Sequence, residues 1–232
     1  MFALMRQDTA VLKGMAICAM LCHHLYGFPP EGMEPYTGTL AWIGILGKVC
    51  VAMFLFCSGY GLASQYSPSQ TVLSDVKFVL KRLTKFYFNY WVVFIIFVPI
   101  SVFLFHRPLS SAYGEHVNIT KRLIFDMLGV QGFDSYNITW WFNQLILMLY
   151  LLFPLLHRMV RFKPWLALLA GMALMRFSSH ISYNPADICT WQFPFVLGMV
   201  WKCYEAEANH VQEWFEQHRF IAVFASYVSC VA

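Results

Sequence analysis

The sequence predicts an all-α fold, a polytopic bundle of transmembrane helices, and three observations support this prediction. Hydrophobic residues make up 59% of the 232 residues and charged residues only 12%, about half the charged fraction of a soluble domain. The mean hydropathy is +0.56. The apolar residues also fall into about seven runs, several of them near the roughly 20 residues that a helix needs to cross a bilayer. We therefore expect a multi-pass protein of the cell membrane, with the lipid bilayer as a partner and no nucleic acid.

The first run, Val11–Pro29, carries Lys13 near its start and the pair His23 and His24 near its end. In a helix, the eleven residues from Lys13 to His24 make three turns plus about 20°, so the two side chains share one face, roughly 16 Å apart along the axis. His23 points about 100° away from that face, and we expect it to be a packing residue. Because imidazole titrates near neutral pH, His24 is the candidate catalytic group and Lys13 its basic partner.

The second run, from about Leu40 to Ser64, contains Lys48 and the sequence FLFCSGYGL. The third run, from about Phe86 to Phe105, is rich in aromatic and β-branched residues and includes Pro99, where we expect a kink.

A polar stretch before the third run ends in KFVLKRLTK, which gathers Lys81, Arg82 and Lys85. Basic residues at a membrane boundary anchor the topology. They also suit a phosphorylated ligand. The two roles are compatible, so this basic cluster is a candidate phosphate-binding site.

The rest of the chain alternates between polar sections and apolar runs. The longest polar section ends at about Thr139, and within it Ile119–Leu128 has a weak pattern that indicates an interfacial amphipathic helix. The apolar runs that follow are Trp140–Leu156, about Trp165–Phe177, Cys189–Tyr204 and a last run from Phe220. This last run ends at Ala232 after 13 residues, too few to cross a bilayer, so we expect the chain to be incomplete at its C-terminus.

The distribution of basic residues predicts a cytoplasmic N-terminus. In that orientation the inner segments hold eleven of the sixteen Lys and Arg residues, as the positive-inside rule favours. The eleven are Arg6, Lys13, Lys77, Lys81, Arg82, Lys85, Arg158, Arg161, Lys163, Lys202 and Arg219.

Seven cysteines lie in or beside the apolar runs, and none has CxxC spacing. We interpret them as small core residues and not as a disulfide framework. The sequence predicts no metal site and no bound cofactor.

Several of these segments, taken in order, resemble the acyltransferase 3 family of integral membrane enzymes. LKGMAICAMLCHH is similar to the first helix of that family, where a basic residue and a histidine stand eleven apart, and Lys13 and His24 match them. VAMFLFCSGYGL resembles the FFxLSGF pattern of its second helix. KRLTKFYFNYW, WWFNQLILMLYLLFPLL and WQFPFVLGMVW resemble its later segments. The resemblance extends over nearly the whole chain.

The resemblance implies one membrane domain over residues 1–232, C-terminally incomplete, since the family core has about ten spans. It implies an enzyme that moves an acyl group, with acetyl expected, from acyl-CoA at the cytoplasmic side. The acceptor it implies is a hydroxyl of an extracytoplasmic glycan, such as a cell-surface polysaccharide. Acyl-CoA is then a co-substrate and not a bound cofactor.

The site residues that the resemblance implies are of three kinds. His24 acts as general base or transient acyl carrier, with Lys13 as its basic partner. The donor phosphates are held by Lys13, Lys81, Arg82 and Lys85. The residues that support the site or contact the substrate are Ser58, Tyr60, Trp141 and Asn143.

The sequence departs from the family after Trp141. Many members carry a glutamate a few residues later, whereas here Phe142, Asn143 and Gln144 follow, so that Asn143 or Gln144 would substitute by hydrogen bonding. Two other functions stay open, namely a transporter that exports an acylated or glycan-type molecule and an inactive membrane scaffold. No Asp or Glu falls within a predicted span, which counts against a proton-coupled transporter.

Overall fold

The protein is built of α-helices, as the sequence predicts. The structure is a computed structural model that describes residues 3–29, 32–67, 71–114, 116–177 and 185–217, and these residues contain no β-strand. The helices are α1 (Arg6–Gly27), α2 (Gly38–Gly47), α3 (Val49–Ala63), α4 (Val72–Phe103), α5 (Leu109–Tyr113), α6 (Ile119–Met127), α7 (Trp141–Phe162), α8 (Pro164–Phe177) and α9 (Pro185–Gln217). Two short 3-10 turns, Gly132–Asp134 and Ile138–Trp140, lead into α7.

Four helical stretches of the described chain are long and apolar enough to cross a membrane. They are Arg6–Gly27, Gly38–Ala63, Val72–Phe103 and Ile138–Phe162. Large apolar side chains cover their surfaces, for example Phe88 and Ile95 on α4, which are 70% and 65% exposed and suit contact with lipid. Of the other predicted runs, the fifth is the 14-residue α8, the sixth lies within α9, and the seventh falls outside the described residues. The chain is therefore a multi-pass membrane protein.

Two boundaries differ from the sequence-based prediction. The second run is divided, because α2 and α3 meet at Lys48. The polar stretch before the third run is helical from Val72 onward, since its Leu, Lys and Arg residues are strong helix formers. Lys81, Arg82 and Lys85 therefore lie on α4 itself and not on a link before it.

The helices gather into two compact units. The first unit comprises Met1–Gln65, Val160–Leu169 and Phe193–Ala232, and the second comprises Tyr66–Met159 and Ala170–Gln192. The helices α1, α2 and α3 thus belong to the first unit, whereas α4, α5, α6 and nearly all of α7 belong to the second.

In the first unit, α1 and α2 cross with their backbones in contact. A Cβ atom on Gly44 would lie 2.7 Å from the backbone nitrogen of Gly27, and one on Gly47 would lie 2.7 Å from the nitrogen of His23. Real Cβ atoms do not come so close, so both positions require glycine. Small residues at a crossing of this kind allow membrane helices to approach closely, because lipid supplies no hydrophobic driving force between them.

A second glycine crossing in this unit joins α3 to α9. A Cβ atom on Gly59 would overlap the carbonyl oxygen of Phe195, and one on Gly198 would overlap the carbonyl oxygen of Phe56. Gly61, two residues further along α3, has open space around it. Two segments that the sequence singles out, VAMFLFCSGYGL and WQFPFVLGMVW, are therefore partners in one helix contact.

In the second unit, α4 and α7 run antiparallel in a register that four contacts define. From one end to the other, these contacts are Asp75 with Arg158, Phe78 with Phe153, Tyr90 with Asn143 and Phe94 with Trp140. Phe78 and Tyr90 are about 18 Å apart along α4, and the basic cluster Lys81, Arg82 and Lys85 lies between them. The cluster is consequently level with the middle of α7.

The polar section before α7 folds onto α4 through the end of α6. A helix end leaves its last carbonyl groups without partners inside the helix. Here side chains of α4 and α7 donate to them, namely Tyr90 to Asp126 O at 2.5 Å, Trp91 to Met127 O at 2.9 Å, Tyr87 to Leu128 O at 2.9 Å and Gln144 to Val130 O at 3.0 Å. The helix predicted within Ile119–Leu128 is confirmed as Ile119–Met127. The carbonyl groups at its end accept from protein side chains.

Candidate functional site

Lys13 and His24 lie on one face of α1 that remains open within the described chain. Both side chains are exposed, and the residues between them on that face, Ile17 and Leu21, are 47% and 54% exposed. Ala16, one residue before Ile17, is fully buried, as expected for the side of α1 that contacts α2 and α3. The spacing predicted from the sequence is therefore confirmed as one shared face of α1, which the described residues leave uncovered.

His23 has a structural partner. Its Nδ1 atom lies 2.7 Å from the carbonyl oxygen of Gly44. Because a carbonyl oxygen can only accept, Nδ1 must carry the proton, which fixes the ring in one tautomer when it is neutral. His23 thus holds α1 to α2 at the glycine crossing, in agreement with the packing role expected for it.

His24 has a different environment. Its ring stacks on Phe28 with centroids 5.7 Å apart and an interplanar angle of 26°, and it lies 5.5 Å from the ring of His23. Within the described residues, no carboxylate forms a hydrogen bond with His24. Phe28 and His23 are therefore the aromatic neighbours of the His24 ring, and its role at a substrate stays a prediction.

Tyr60 on α3 joins a partly buried polar cluster that the sequence did not reveal. Its side chain is 5% exposed, and its hydroxyl donates to Glu205 Oε2 at 2.8 Å and accepts from the Leu4 N–H at 3.0 Å. Glu205 also forms an ion pair with Lys202, whose ammonium lies 5.6 Å from the centre of the Tyr60 ring. Ser58, half-buried, lies two residues before Tyr60.

The apolar run of the sequence ends at Tyr204, so hydropathy alone does not place Glu205 in the same helix. The helix continues to Gln217, so Glu205 lies within it. The signal was present in the sequence, since the segment KCYEAEA is rich in helix formers.

The basic cluster lies in the second unit, whereas Lys13 and His24 lie in the first. Lys81 and Lys85 are exposed, and Arg82 is half-buried, with its guanidinium 5.1 Å from the centre of the Phe78 ring. These cations lie beside α7, at the level of its middle, and directly before the apolar part of α4, which begins at Phe86. Their roles as a topology anchor and as a phosphate-binding site stay predictions.

The residues at the start of α7 connect this helix to its neighbours. Trp141 stacks on Phe133 with centroids 5.4 Å apart and an angle of 18°. The side chain of Asn143 hydrogen-bonds to Tyr90, and Gln144 donates to Val130 O. Both amides suggested as replacements for the family glutamate therefore hold α7 to α4 and to the polar section, and a role for Trp141 or Asn143 at a substrate stays a prediction.

An apolar hollow of about 300 Å³ lies in the first unit beside the first turns of α1. Leu12, the neighbour of Lys13, lines it together with side chains of α3 and α9, among them Met53, Cys57 and Leu197. No group of three His, Cys, Asp or Glu side chains is arranged to hold a metal ion in the part of the chain that the structure describes.

Comparison with known proteins assigns the chain to a family. The family model described as an acyltransferase domain matches residues 10–232. No curated protein and no solved structure matches the chain. The matched region contains Lys13 and His24 as well as the two glycine crossings. Because the family model matches almost the full length of the chain, the chain belongs to the acyltransferase 3 family.

Proposed function

We propose that this membrane acyltransferase moves an acyl group, acetyl being the expected one, from acyl-CoA to a hydroxyl of an extracytoplasmic glycan. The observation that carries the proposal is the open face of α1, on which a titratable imidazole and a lysine ammonium are both exposed. Family membership supports acyl transfer. The donor, the acyl group and the acceptor are inferred from the chemistry of these residues and from the family resemblance.

His24 is assigned the reacting role. As a general base it takes the proton of the acceptor hydroxyl while the hydroxyl oxygen attacks the thioester carbon, and the CoA thiolate leaves. As an acyl carrier its neutral nitrogen attacks the same carbon first and the thiolate leaves; the acceptor oxygen then displaces the imidazole, and the thiolate released in the first step takes up the hydroxyl proton. Either path requires a neutral, accessible nitrogen, and the exposure of the His24 ring supports this assignment.

Lys13 is assigned to the charged part of the donor. It lies roughly 16 Å from His24 along the helix axis, so it does not reach the group on which His24 acts. An acyl-CoA is an extended molecule with its phosphates far from its thioester, and this separation suits it.

The basic cluster on α4 is assigned to the donor phosphates. Phosphate oxygens pair strongly with guanidinium and ammonium groups, and such pairing explains why three cations occur beside the middle of an apolar helix. The excess of basic residues in the segments assigned as inner supports a cytoplasmic N-terminus in the cell membrane and a donor that arrives from the cytoplasm.

The experiment that tests the proposal uses the chain in proteoliposomes with acetyl-CoA labelled in the acetyl group. We expect label to appear on an added glycan acceptor with the wild type and not with His24→Ala. Movement of unmodified acceptor across the bilayer without label transfer would favour the exporter instead. Absence of both activities would favour the scaffold.

A further inference from the structure

A cavity of about 220 Å³ lies in the second unit near the C-terminal end of α4. Its lining combines the rings of Tyr136 and Trp140 with the polar side chains of Ser101, Arg107 and Asn137, and apolar side chains of α4 complete it. The volume equals that of roughly seven liquid waters at about 30 Å³ each, which is space for one small ring. The acyl-transfer chemistry described above makes no use of this cavity.

The cavity is held in shape by the contacts of Tyr136. This residue is 3% exposed, and its hydroxyl oxygen lies 2.8 Å from both Ser101 Oγ and the carbonyl oxygen of Arg107. At the other end, its backbone N–H donates to Asp126 Oδ2 at 2.6 Å. Asp126 is fully buried and also accepts from the hydroxyl of Tyr113. A ligand would therefore meet a ring that is already in place, which lowers the entropic cost of binding.

The cavity is also cationic. The guanidinium of Arg107 lies over the Tyr136 ring, 5.1 Å from its centre, and the side chain is exposed. Within the described residues, no carboxylate pairs with Arg107, and no acidic side chain lines the cavity. A stacked guanidinium keeps its N–H groups at the edge, where they can bind a planar anion through two hydrogen bonds.

The cavity lies at the C-terminal end of α4, whereas the basic cluster lies in the N-terminal half of that helix. Trp140 contacts Phe94 and directly precedes α7, so the cavity lies beyond the start of the apolar run of α7. Aromatic and basic side chains collect at such a level, where the hydrocarbon meets water. A polar ligand can thus reach the cavity from the side opposite to that assigned to the donor.

We propose that this cavity binds one sugar ring of the acceptor and that Arg107 selects a ring with a carboxylate or a similar acidic substituent. Trp140 supplies flat apolar surface for the C–H face of the ring, Tyr136 holds Arg107 and Ser101 in place, and Ser101 and Asn137 supply hydrogen-bonding groups for the sugar hydroxyls. The identification of the ligand as the acceptor rests on the proposed function, whereas the binding of an acidic sugar does not.

The test measures binding without any donor, so that it is independent of catalysis. Methyl β-D-glucoside and methyl β-D-glucuronide, which differ only in the carboxylate, are added to the chain in nanodiscs and followed by saturation-transfer NMR. We expect the glucuronide to bind about three- to tenfold more tightly. Arg107→Gln should remove this preference, and Arg176→Gln, the same charge change on α8 outside the cavity, should keep it.

A second variant tests the cavity without removing any of its hydrogen bonds. Ile100 is 38% exposed and lines the cavity, so Ile100→Phe fills the space without removing a hydrogen bond, and it should weaken both glycosides at least tenfold. The proposal is overturned if neither glycoside binds the wild type, if the two bind equally, or if the preference survives in Arg107→Gln. Loss of acyl transfer in His24→Ala with unchanged glucuronide binding would separate this site from the catalytic assignment.

Discussion

His23 Nδ1 lies 2.7 Å from the carbonyl oxygen of Gly44, whereas His24, the next residue, presents its ring on the open face of α1. The two adjacent imidazoles therefore predict opposite phenotypes. His23→Ala leaves a half-buried carbonyl without its partner and should lower the free energy of unfolding by about 1–3 kcal/mol while keeping a substantial share of activity.

His24→Ala should leave stability close to that of the wild type and reduce acyl transfer by about 10²- to 10⁴-fold, the usual contribution of a general base. Thermal unfolding in detergent and transfer from labelled acetyl-CoA give the two readouts on the same preparations. Equal losses of activity in both variants would mean that the pair acts as a unit. Full activity in His24→Ala would remove the catalytic assignment.

Gly59 and Gly61 form a matched pair on α3. A Cβ atom on Gly59 would overlap the Phe195 carbonyl oxygen, whereas Gly61 has open space. Gly59→Ala should therefore separate α3 from α9 and prevent accumulation of folded protein. Gly61→Ala should be neutral or stabilising by up to about 1 kcal/mol, because alanine favours the helix. Size-exclusion chromatography of fluorescently tagged variants checks both, and similar profiles for the two would contradict the close crossing.

The hydrogen bond between Tyr60 and Glu205 predicts a measurable coupling. Tyr60→Phe should lower the free energy of unfolding by about 1–3 kcal/mol, because it removes a partly buried hydrogen bond to a carboxylate. In combination with Glu205→Gln the loss should be smaller than the sum of the single losses. Tyr204→Phe is the control, since the Tyr204 hydroxyl makes a longer bond of 3.3 Å to Val160 O. Additive losses in the double variant would contradict the contact.

Tyr66 predicts a pH dependence of stability. Burial and its hydrogen bond to Asp75, 2.5 Å long, raise the pKa of Tyr66 from 10.0 to about 12. Because the folded state holds this proton more tightly than the unfolded state, the contribution is complete below pH 10 and is lost as the pH rises toward 12.

At most, this contribution is about 3 kcal/mol, from two pKa units at about 1.4 kcal/mol each. Denaturant unfolding at several pH values should therefore show a steeper alkaline loss in the wild type than in Tyr66→Phe. Asp75→Asn, which removes one cause of the raised pKa, should give an intermediate slope. Parallel slopes in all three proteins would refute the assignment.

The basic cluster predicts a defect in donor binding. Arg82→Gln with Lys85→Gln should raise the KM for acyl-CoA about tenfold or more, through lost charge-assisted bonds, and should make it less sensitive to salt. Arg161→Gln with Lys163→Gln removes the same charge from the end of α7 and the link after it, and should change KM little. If both pairs raise KM equally, the effect belongs to the general field of the basic surface and not to a site.

The face of α1 could be read from the sequence because it depends on one helix. The spacing of Lys13 and His24 is local, and a helix of 3.6 residues per turn fixes their relation. Several other contacts join residues far apart in the sequence. The bond from Tyr60 to Glu205 and the contact of Gly59 with Phe195 require two helices to meet, and hydropathy reports only that both are apolar.

The position of the basic cluster relative to α7 is another feature that the sequence alone does not give. Composition marked Lys81, Arg82 and Lys85 as a boundary, because lysine and arginine end most apolar runs. The antiparallel register with α7, given by contacts such as Phe78 with Phe153, moves them beside the middle of an apolar helix. A hydropathy profile of α4 alone could not contain that information.

The two glycine crossings of the first unit differ in when they can form. Gly44 and Gly47 meet a helix that directly precedes them in the chain, so α1 and α2 can pair as soon as both have left the ribosome. The contact of Gly59 with Phe195 can form only later, because Phe195 is synthesised after the whole second unit. Contacts between distant segments form slowly, and surfaces that wait for a partner stay exposed meanwhile. During synthesis, the surface of α3 around Gly59 is therefore the place where a chaperone or a neighbouring chain can interfere with assembly of this enzyme.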